Sequence, residues 1–532
     1  MKACPVRIVC LLASLLAMPF AAAGQDWFRQ ADENGRRANE AFERCHRFVE
    51  GWLKHADPKT GLIPRNLTKD KDTWNPCDAA ADNYPFMVLT AAITDRALCD
   101  GRMLDMLRTE TKLTPRLDRI PDAYSFSKQG FRDAKPDVAS LIFGGSEYVK
   151  DGLLPLTEWL GPSPWSARML GIVDDIWKHA PVRTKYGNIP SDNQEVNGEN
   201  MQALARLFWM TGERKYLDWA FRIADHYLFD RHPTDVEETI RFRDHGCEAL
   251  SGLSEVYAAA SFAAPEKKRA YERPIHVMYD RCLAIGRNEH GLFYNIVNAK
   301  TGKPVNAYLC DTWGYTLNGI YTVYLIDRTP AYRDAVRKAL SNLYEHYRNF
   351  TWGQPAVIAD EYADSIESAI NLYNREPIPS AGDWIDSEIR VMWNIQKPDG
   401  VIEGWHGDGN FARTSIMYAL WKTQGITARP WRKDLRFGAV CDGDRICVTL
   451  TADAPWSGRL LCDIPRHKVH LRLPLDYPRI NQFPEWFTVN ADDDYRVTID
   501  GRTMTRKGRA LAEGLPIELT ADALRREMVF QK

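Results

Sequence analysis

The sequence lacks any pair of cysteines two residues apart, so the paired-cysteine spacing of a structural zinc site is missing. It also lacks a GxSxG elbow, an HExxH helix and a GxxxxGK[ST] loop, which removes α/β serine hydrolases, zincins and P-loop enzymes from consideration. Neither sign of charge dominates: 69 Lys and Arg stand against 71 Asp and Glu, for a formal net charge of -2. No basic stripe answers a phosphate backbone, so nucleic acid is not an expected partner. Beyond the first 23 residues no apolar run approaches the roughly 18 residues of a membrane helix, and membrane insertion is not expected. No spacing suits a metal, so neither a metal nor a cofactor is expected.

Residues 1–23 form a separate unit. Lys2 and Arg7 precede an apolar run from Ile8 to Phe20, and Ala21-Ala22-Ala23 offers a small-residue cleavage site, the grammar of a secretory signal. An exported, periplasmic or extracellular protein is expected. Nine cysteines follow: Cys45, Cys77, Cys99, Cys247, Cys282, Cys310, Cys441, Cys447 and Cys462. Cys45, Cys247 and Cys282 suit the role of small buried hydrophobes. Cys441 and Cys447 flank Asp442-Gly443-Asp444, a turn that lets them face each other across a hairpin.

Composition changes once, near residue 430. Before it, apolar residues recur at helical spacing, as in Ala38, Ala41, Phe42, Cys45, Phe48, Val49 and Trp52, or Tyr332, Val336, Ala339, Leu340 and Leu343. Such helices have one apolar stripe and one charged face, which predicts an outer position. Thr329 and Pro330 mark one start, as a capping hydroxyl and a first-turn proline. Between them lie segments rich in small apolar residues, around 85–94, 201–210, 250–260 and 317–325, which predict inner helices. The connecting stretches repeat a pattern of turn, extended segment and acidic residue. Asn288 to Tyr315 is the longest example, with Gly291 at the turn and Asp311 before the next helix.

The alternation predicts a mainly α fold: an (α/α) toroid of six or seven hairpins over 24–430, with loops and inner N-termini meeting at one end. From 431 to 532 the period becomes two. Residues 435–437, 445–450, 468–473 and 495–500 predict strands of a small antiparallel β-domain, sandwich-like and supporting.

The loops carry chemistry suited to sugars. Hydrolysis of a glycosidic bond needs a protonated carboxylic acid and a second carboxylate. Asp82, Glu199, Asp244 and Asp311 are the catalytic candidates, with His245 beside Asp244 as a proton shuttle. Glu195, Asn197 and Glu199 crowd one inner-helix start more densely than capping requires. Arg243 suits a uronate carboxylate, which a guanidinium grips through two bonds. Trp313, Tyr315 and Trp405 offer flat faces for sugar rings, and His406 and Asp408 lie in a glycine-rich stretch that lets backbone approach a ligand.

Architecture, export signal and aromatic loops together resemble the six-hairpin glycosidases. Asp82-Asn83-Tyr84-Pro85-Phe86-Met87 is similar to the inner-helix opening of unsaturated rhamnogalacturonyl and glucuronyl hydrolases, which implies a role for Asp82 on an unsaturated uronyl residue. His245-Gly246-Cys247-Glu248-Ala249-Leu250 is more distantly similar to the Cys-bearing helix of β-L-arabinofuranosidases, but that family's remaining site residues are not matched. The expected activity is hydrolysis of an oligosaccharide derived from a plant or algal polysaccharide, uronate-containing, by carboxylate acid–base catalysis. A toroid lyase using Asn197, Arg243, His245 and Tyr315 is the first alternative. A non-catalytic glycan binder is the second, and it predicts no carboxylate with a raised pKa.

Overall fold

The computed structural model describes residues 20–532 apart from 236–237, 245 and 353–357. The expected export signal therefore lies almost wholly outside the described residues. Fourteen long helices follow in the described chain as seven outer–inner pairs. The outer members are α1 (Phe20–Leu53), α3 (96–113), α5 (Pro164–Lys178), α7 (Arg214–Phe229), α9 (Pro265–Ile285), α11 (Pro330–His346) and α13 (Pro379–Trp393). The inner members are α2 (76–94), α4 (138–160), α6 (Gln194–Thr211), α8 (Cys247–Ala263), α10 (Trp313–Asp327), α12 (Ala359–Tyr373) and α14 (Asn410–Lys422). Each inner helix touches the next, and α14 returns to α2, so the ring closes with seven hairpins.

Small residues explain how tightly the inner ring packs. A Cβ on Gly198 of α6 would lie 2.3 Å from the carbonyl carbon of Glu248 on α8, and one on Gly314 of α10 would lie 2.4 Å from Ser368 Cβ on α12. Glycine at both points allows an approach that alanine would block. The outer helices bury the stripes expected of them, such as Tyr332, Val336, Ala339 and Leu340 of α11. Pro330 opens α11, but Thr329 makes no side-chain capping bond.

Two inner helices are underwound locally into π turns, at Pro76–Asn83 in α2 and Tyr148–Leu153 in α4. A π turn spreads the backbone and re-aims its side chains, and such turns recur at functional sites. Here they carry Asp78, Asp82, Lys150 and Asp151.

Beyond α14 the chain forms two antiparallel sheets. One orders strands Arg436–Asp442, Arg445–Thr451, Arg525–Gln531, Asp494–Ile499 and Arg502–Lys507; the other places Trp456–Leu461 between Thr427–Arg429 and Leu515–Leu519. The first sheet lies on α1, where Gly35 and Gly438 pass so closely that a Cβ on Gly438 would meet Gly35 N at 2.1 Å. Cys441 pairs in register with Ile446 and Cys447 with Val440, so the two thiols stand on opposite faces, and both are free. Neighbouring register positions alternate sides, which overturns the face-to-face expectation.

The expected strand at 468–473 is absent. A short helix, Arg466–Val469, leads instead into an irregular run that enters the base of the ring. Alternation there serves insertion, not pairing: Leu471 and Leu473 pack on Ala258 of α8, while Val469, at the end of the short helix, is exposed. Deeper in, Tyr477 donates to Glu255 Oε2 at 3.1 Å and Arg479 pairs with Glu158 Oε1 at 2.6 Å. Ile480 and Asn481 cap this insert and reach the cavity from below. Among the described residues no helix is long and apolar enough to cross a membrane.

Candidate active site

A cavity of about 420 Å³ opens at the N-terminal end of the inner helices. Its wall is acidic. Asp78 and Asp82 come from α2, Glu147 and Asp151 from α4, Glu195 and Glu199 from α6, and Asp244 and Glu248 from the start of α8. Asp311 precedes α10, and Asp360, Glu361 and Asp364 come from α12. Six inner helices and the loops before them pool these groups: most lie at or near helix starts, which favour an acid through their unpaired N–H groups and dipole, whereas Glu147 and Asp151 sit at the π turn midway along α4.

Most of the positive charge is already engaged. Arg65 pairs with Asp78 at 2.5 Å, and Lys150 Nζ lies 2.7 Å from Asp151 and 2.8 Å from Glu248. Arg413 of α14 holds Asp364 at 2.5 Å and Glu367 at 2.9 Å, while Tyr315 donates to the same two carboxylates at 2.9 and 3.0 Å. Asn481 donates to Asp151 at 2.7 Å and accepts from Arg413 at 2.9 Å. Arg243 is exposed at the rim and forms no ion pair with a described residue.

His406 stands between two carboxylates, with Nε2 3.6 Å from both Asp78 Oδ1 and Asp82 Oδ2. Burial disfavours its charge, but Asp82 and Asp78 outweigh that and raise its pKa to about 9. The two acids diverge. Burial works on both, yet His406, Arg65 and Asn75 hold Asp78 below the usual carboxylate range. Asp82 is driven well above it, by burial first and then by Asp151, Asp360 and Asp78. Burial and the neighbouring Asp244 raise Asp311 to about 6, and burial with Asp360 raises Glu361 to about 9. Glu147, Glu199 and Asp364 are likewise raised, chiefly by burial.

Of the residues singled out in the sequence, Asp82, Glu195, Glu199, Arg243, Asp244, Asp311, Tyr315, Trp405 and His406 meet around this cavity. His245 lies outside the described residues. Three others sit elsewhere. Asn197 turns away and donates to the Ser191 carbonyl at 2.7 Å and to Tyr227 at 3.2 Å. Trp313 is fully buried, its indole N–H bonded to Ser365 Oγ at 3.0 Å, so it fills the gap between α10 and α12 and offers no face to a sugar. Asp408 accepts from Asn410 N at 3.1 Å and helps begin α14 without lining the cavity. Trp405 is 62% exposed at the mouth; the Lys69 ammonium lies over its ring 5.5 Å from the centroid, and the remaining exposed surface can stack on a sugar.

Sequence inspection missed Glu147, Lys150 and Asp151, because a π turn halfway along an inner helix has no signature of its own. It also missed Asp360, Asp364 and Arg413, which read as ordinary helix-start charges, and Asn481, whose contribution depends on a long-range insertion. Asp78 was visible only as part of the repeated loop pattern.

No family model matches this chain, and no curated protein matches it. Several solved structures are similar to it. An α-1,6-mannanase of a Salegentibacter species shares 9% identity over 71% of this chain and 98% of its own, with a TM-score of 0.40. A possible member of glycoside hydrolase family 105 from Salmonella enterica shares 11% over 52% and 81%, with a TM-score of 0.37. A cellobiose 2-epimerase from Bacillus thermoamylovorans shares 9% over 53% and 86%, with a TM-score of 0.38. Likeness at this level assigns the chain neither a family nor an activity.

Proposed function

We propose that the protein is an exported glycoside hydrolase in which Asp82 is the general acid and Asp78 the partner carboxylate. The observation that carries this is the pair's divergence: two carboxylates share His406 at 3.6 Å, one held toward its ionised form by Arg65 and one pushed toward its protonated form by burial. Neighbouring acids whose surroundings separate their pKa values are the arrangement that acid–base glycosidic cleavage requires. The raised carboxylates also speak against a cavity that only binds glycans.

The facing oxygens of Asp78 and Asp82 lie within 4.8 Å of each other. This is no wider than the roughly 5 Å carboxyl separation of retaining enzymes and narrower than the gap an inverting enzyme needs for its water. Asp78 would then attack the anomeric carbon as Asp82 protonates the leaving oxygen, and Asp82 would deprotonate the water that releases the sugar. Retention of anomeric configuration follows.

The surroundings also narrow the substrate. The ionised carboxylates of this acidic wall disfavour a uronate in the interior, whereas exposed Arg243 at the mouth suits one there, with Trp405 stacking on a sugar ring. The substrate is thus an oligosaccharide with a neutral residue in the depth and its carboxylate, where it has one, at the rim. Incubation with neutral and acidic polysaccharide digests tests this: reducing ends should appear with wild type and not with Asp82→Asn. New absorbance from a C4–C5 double bond would identify a lyase and overturn the assignment. Export is checked by sequencing the mature N-terminus, expected at Gly24.

A further inference from the structure

We infer that the cavity holds a hard divalent cation between Glu147, Asp151 and Glu199, apart from the Asp78–Asp82 pair. Each offers a carboxylate oxygen within 4.8 Å of the others. Glu147 and Asp151 are four residues apart on α4, where the π turn brings them to one side, and Glu199 faces them from the first turns of α6. An acidic cluster alone does not make a site, but Glu199 adds a separate observation. It is 1% exposed, it lines the cavity, and its Oε2 has no hydrogen-bond partner.

A buried carboxylate oxygen left without a partner is costly, and native structures rarely retain one unanswered. Lys150 acts on it through space, but no hydrogen bond from the protein answers it. Lys150 Nζ is committed to Asp151 Oδ1 and Glu248, and the Asn481 amide bonds the same Oδ1. That leaves Asp151 Oδ2, Glu147 and Glu199 turned toward a common space. The other such group in the cavity contrasts with this. Asp78, Asp82 and His406 are equally close, but Arg65 and His406 supply their countercharge.

The ligand set is entirely carboxylate oxygen, which selects Ca²⁺, Mg²⁺ or Mn²⁺ over metals that prefer nitrogen or sulfur. Three carboxylates fill part of a shell of six or more. The remaining positions face the cavity, where adjacent hydroxyls of a sugar can take them. That last step rests on the glycoside hydrolase assignment; cation binding does not.

The test uses full-length mature protein stripped with EDTA and titrated calorimetrically with CaCl₂, MgCl₂ and MnCl₂. One cation per chain is expected for at least one of the three, with Tm rising by on the order of a few degrees at saturation. Glu199→Gln and Asp151→Asn should each weaken binding by roughly 10-fold or more, while Asp78→Asn keeps it. If a variant fails to fold, electron paramagnetic resonance on wild type still decides, since one bound Mn²⁺ displaced by Ca²⁺ is expected. No binding by any of the three ions, or undiminished binding in folded Glu199→Gln, would overturn the inference. So would loss in Asp78→Asn alone. A chain that cleaves glycans without binding a cation refutes only this inference; one that binds but cleaves nothing refutes only the assigned function.

Discussion

Asp82 and Glu361 are half-buried acids of similar chemistry with different expected roles. If Asp82 protonates the leaving oxygen, Asp82→Asn keeps shape and polarity but removes the proton, and kcat should fall by about 10² to 10⁴. Activity within tenfold of wild type would place the acid elsewhere. Glu361 is not needed for that step, and its effect is on stability. Its folded pKa, near 9 through burial and Asp360, lies above the ordinary glutamate value of 4.5. The folded chain therefore holds a proton that the unfolded chain releases. Stability from this group is complete below about pH 4.5 and is lost as pH rises toward 9. Glu361→Gln should raise the urea midpoint at pH 8 and leave it unchanged at pH 4. At the mouth, Trp405→Ala should raise KM about 5-fold with little change in kcat, as expected for about 1 kcal/mol of stacking. A drop confined to kcat would argue against stacking. Why these residues differed in legibility is also a matter of surroundings. Trp405 was legible because glycines flank it, and Trp313 misled because an equally polar neighbourhood surrounds a residue whose position in α10 turns it into the ring.

Among elements, the helices were easy to read and their junctions were not. Periodicity located the outer helices because one face meets solvent, as the exposed and buried positions of α11 show. The inner helices were recognisable from small residues. Their exact winding was not, since a π turn replaces one hydrogen-bond pattern with another without changing which residues are apolar. The strand expected at 468–473 failed for a related reason: alternate burial of Leu471 and Leu473 comes from contact with α8, not with a neighbouring strand. The closest inner contact gives a direct test. A methyl group on Gly198 would meet backbone atoms of Glu248 and Ala249 at 2.3 and 2.4 Å, and backbone cannot yield as a side chain can. Gly198→Ala should cost about 1 to 3 kcal/mol and lower activity too, because both flanking chains carry cavity acids. Gly101→Ala, where nothing lies within 4 Å, should be neutral or stabilising. Equal effects at the two sites would mean that the α6–α8 approach does not limit the fold.

At the scale of the whole molecule, the C-terminal part contributes more than the supporting role expected of it. Its first sheet covers α1, the helix that closes the ring against α14, and the run entering the base buries Arg479 completely against Glu158 of α4. That contact is fully desolvated on both sides, so losing one partner leaves a buried charge unanswered and costs about 3 to 5 kcal/mol. Arg479 also precedes Ile480 and Asn481, which form the cavity floor, and Asn481 links Asp151 to Arg413. Ring and sheets should therefore unfold as one unit despite their different composition. Calorimetry of wild type should give a single transition whose calorimetric and van't Hoff enthalpies agree. Arg479→Ala should move that transition down as a whole, while activity falls further than the lost stability explains, because the floor beside Asp151 is no longer held. Two separate transitions, with the sheets melting while the helical signal and activity persist, would show that the floor is independent of the domain that delivers it.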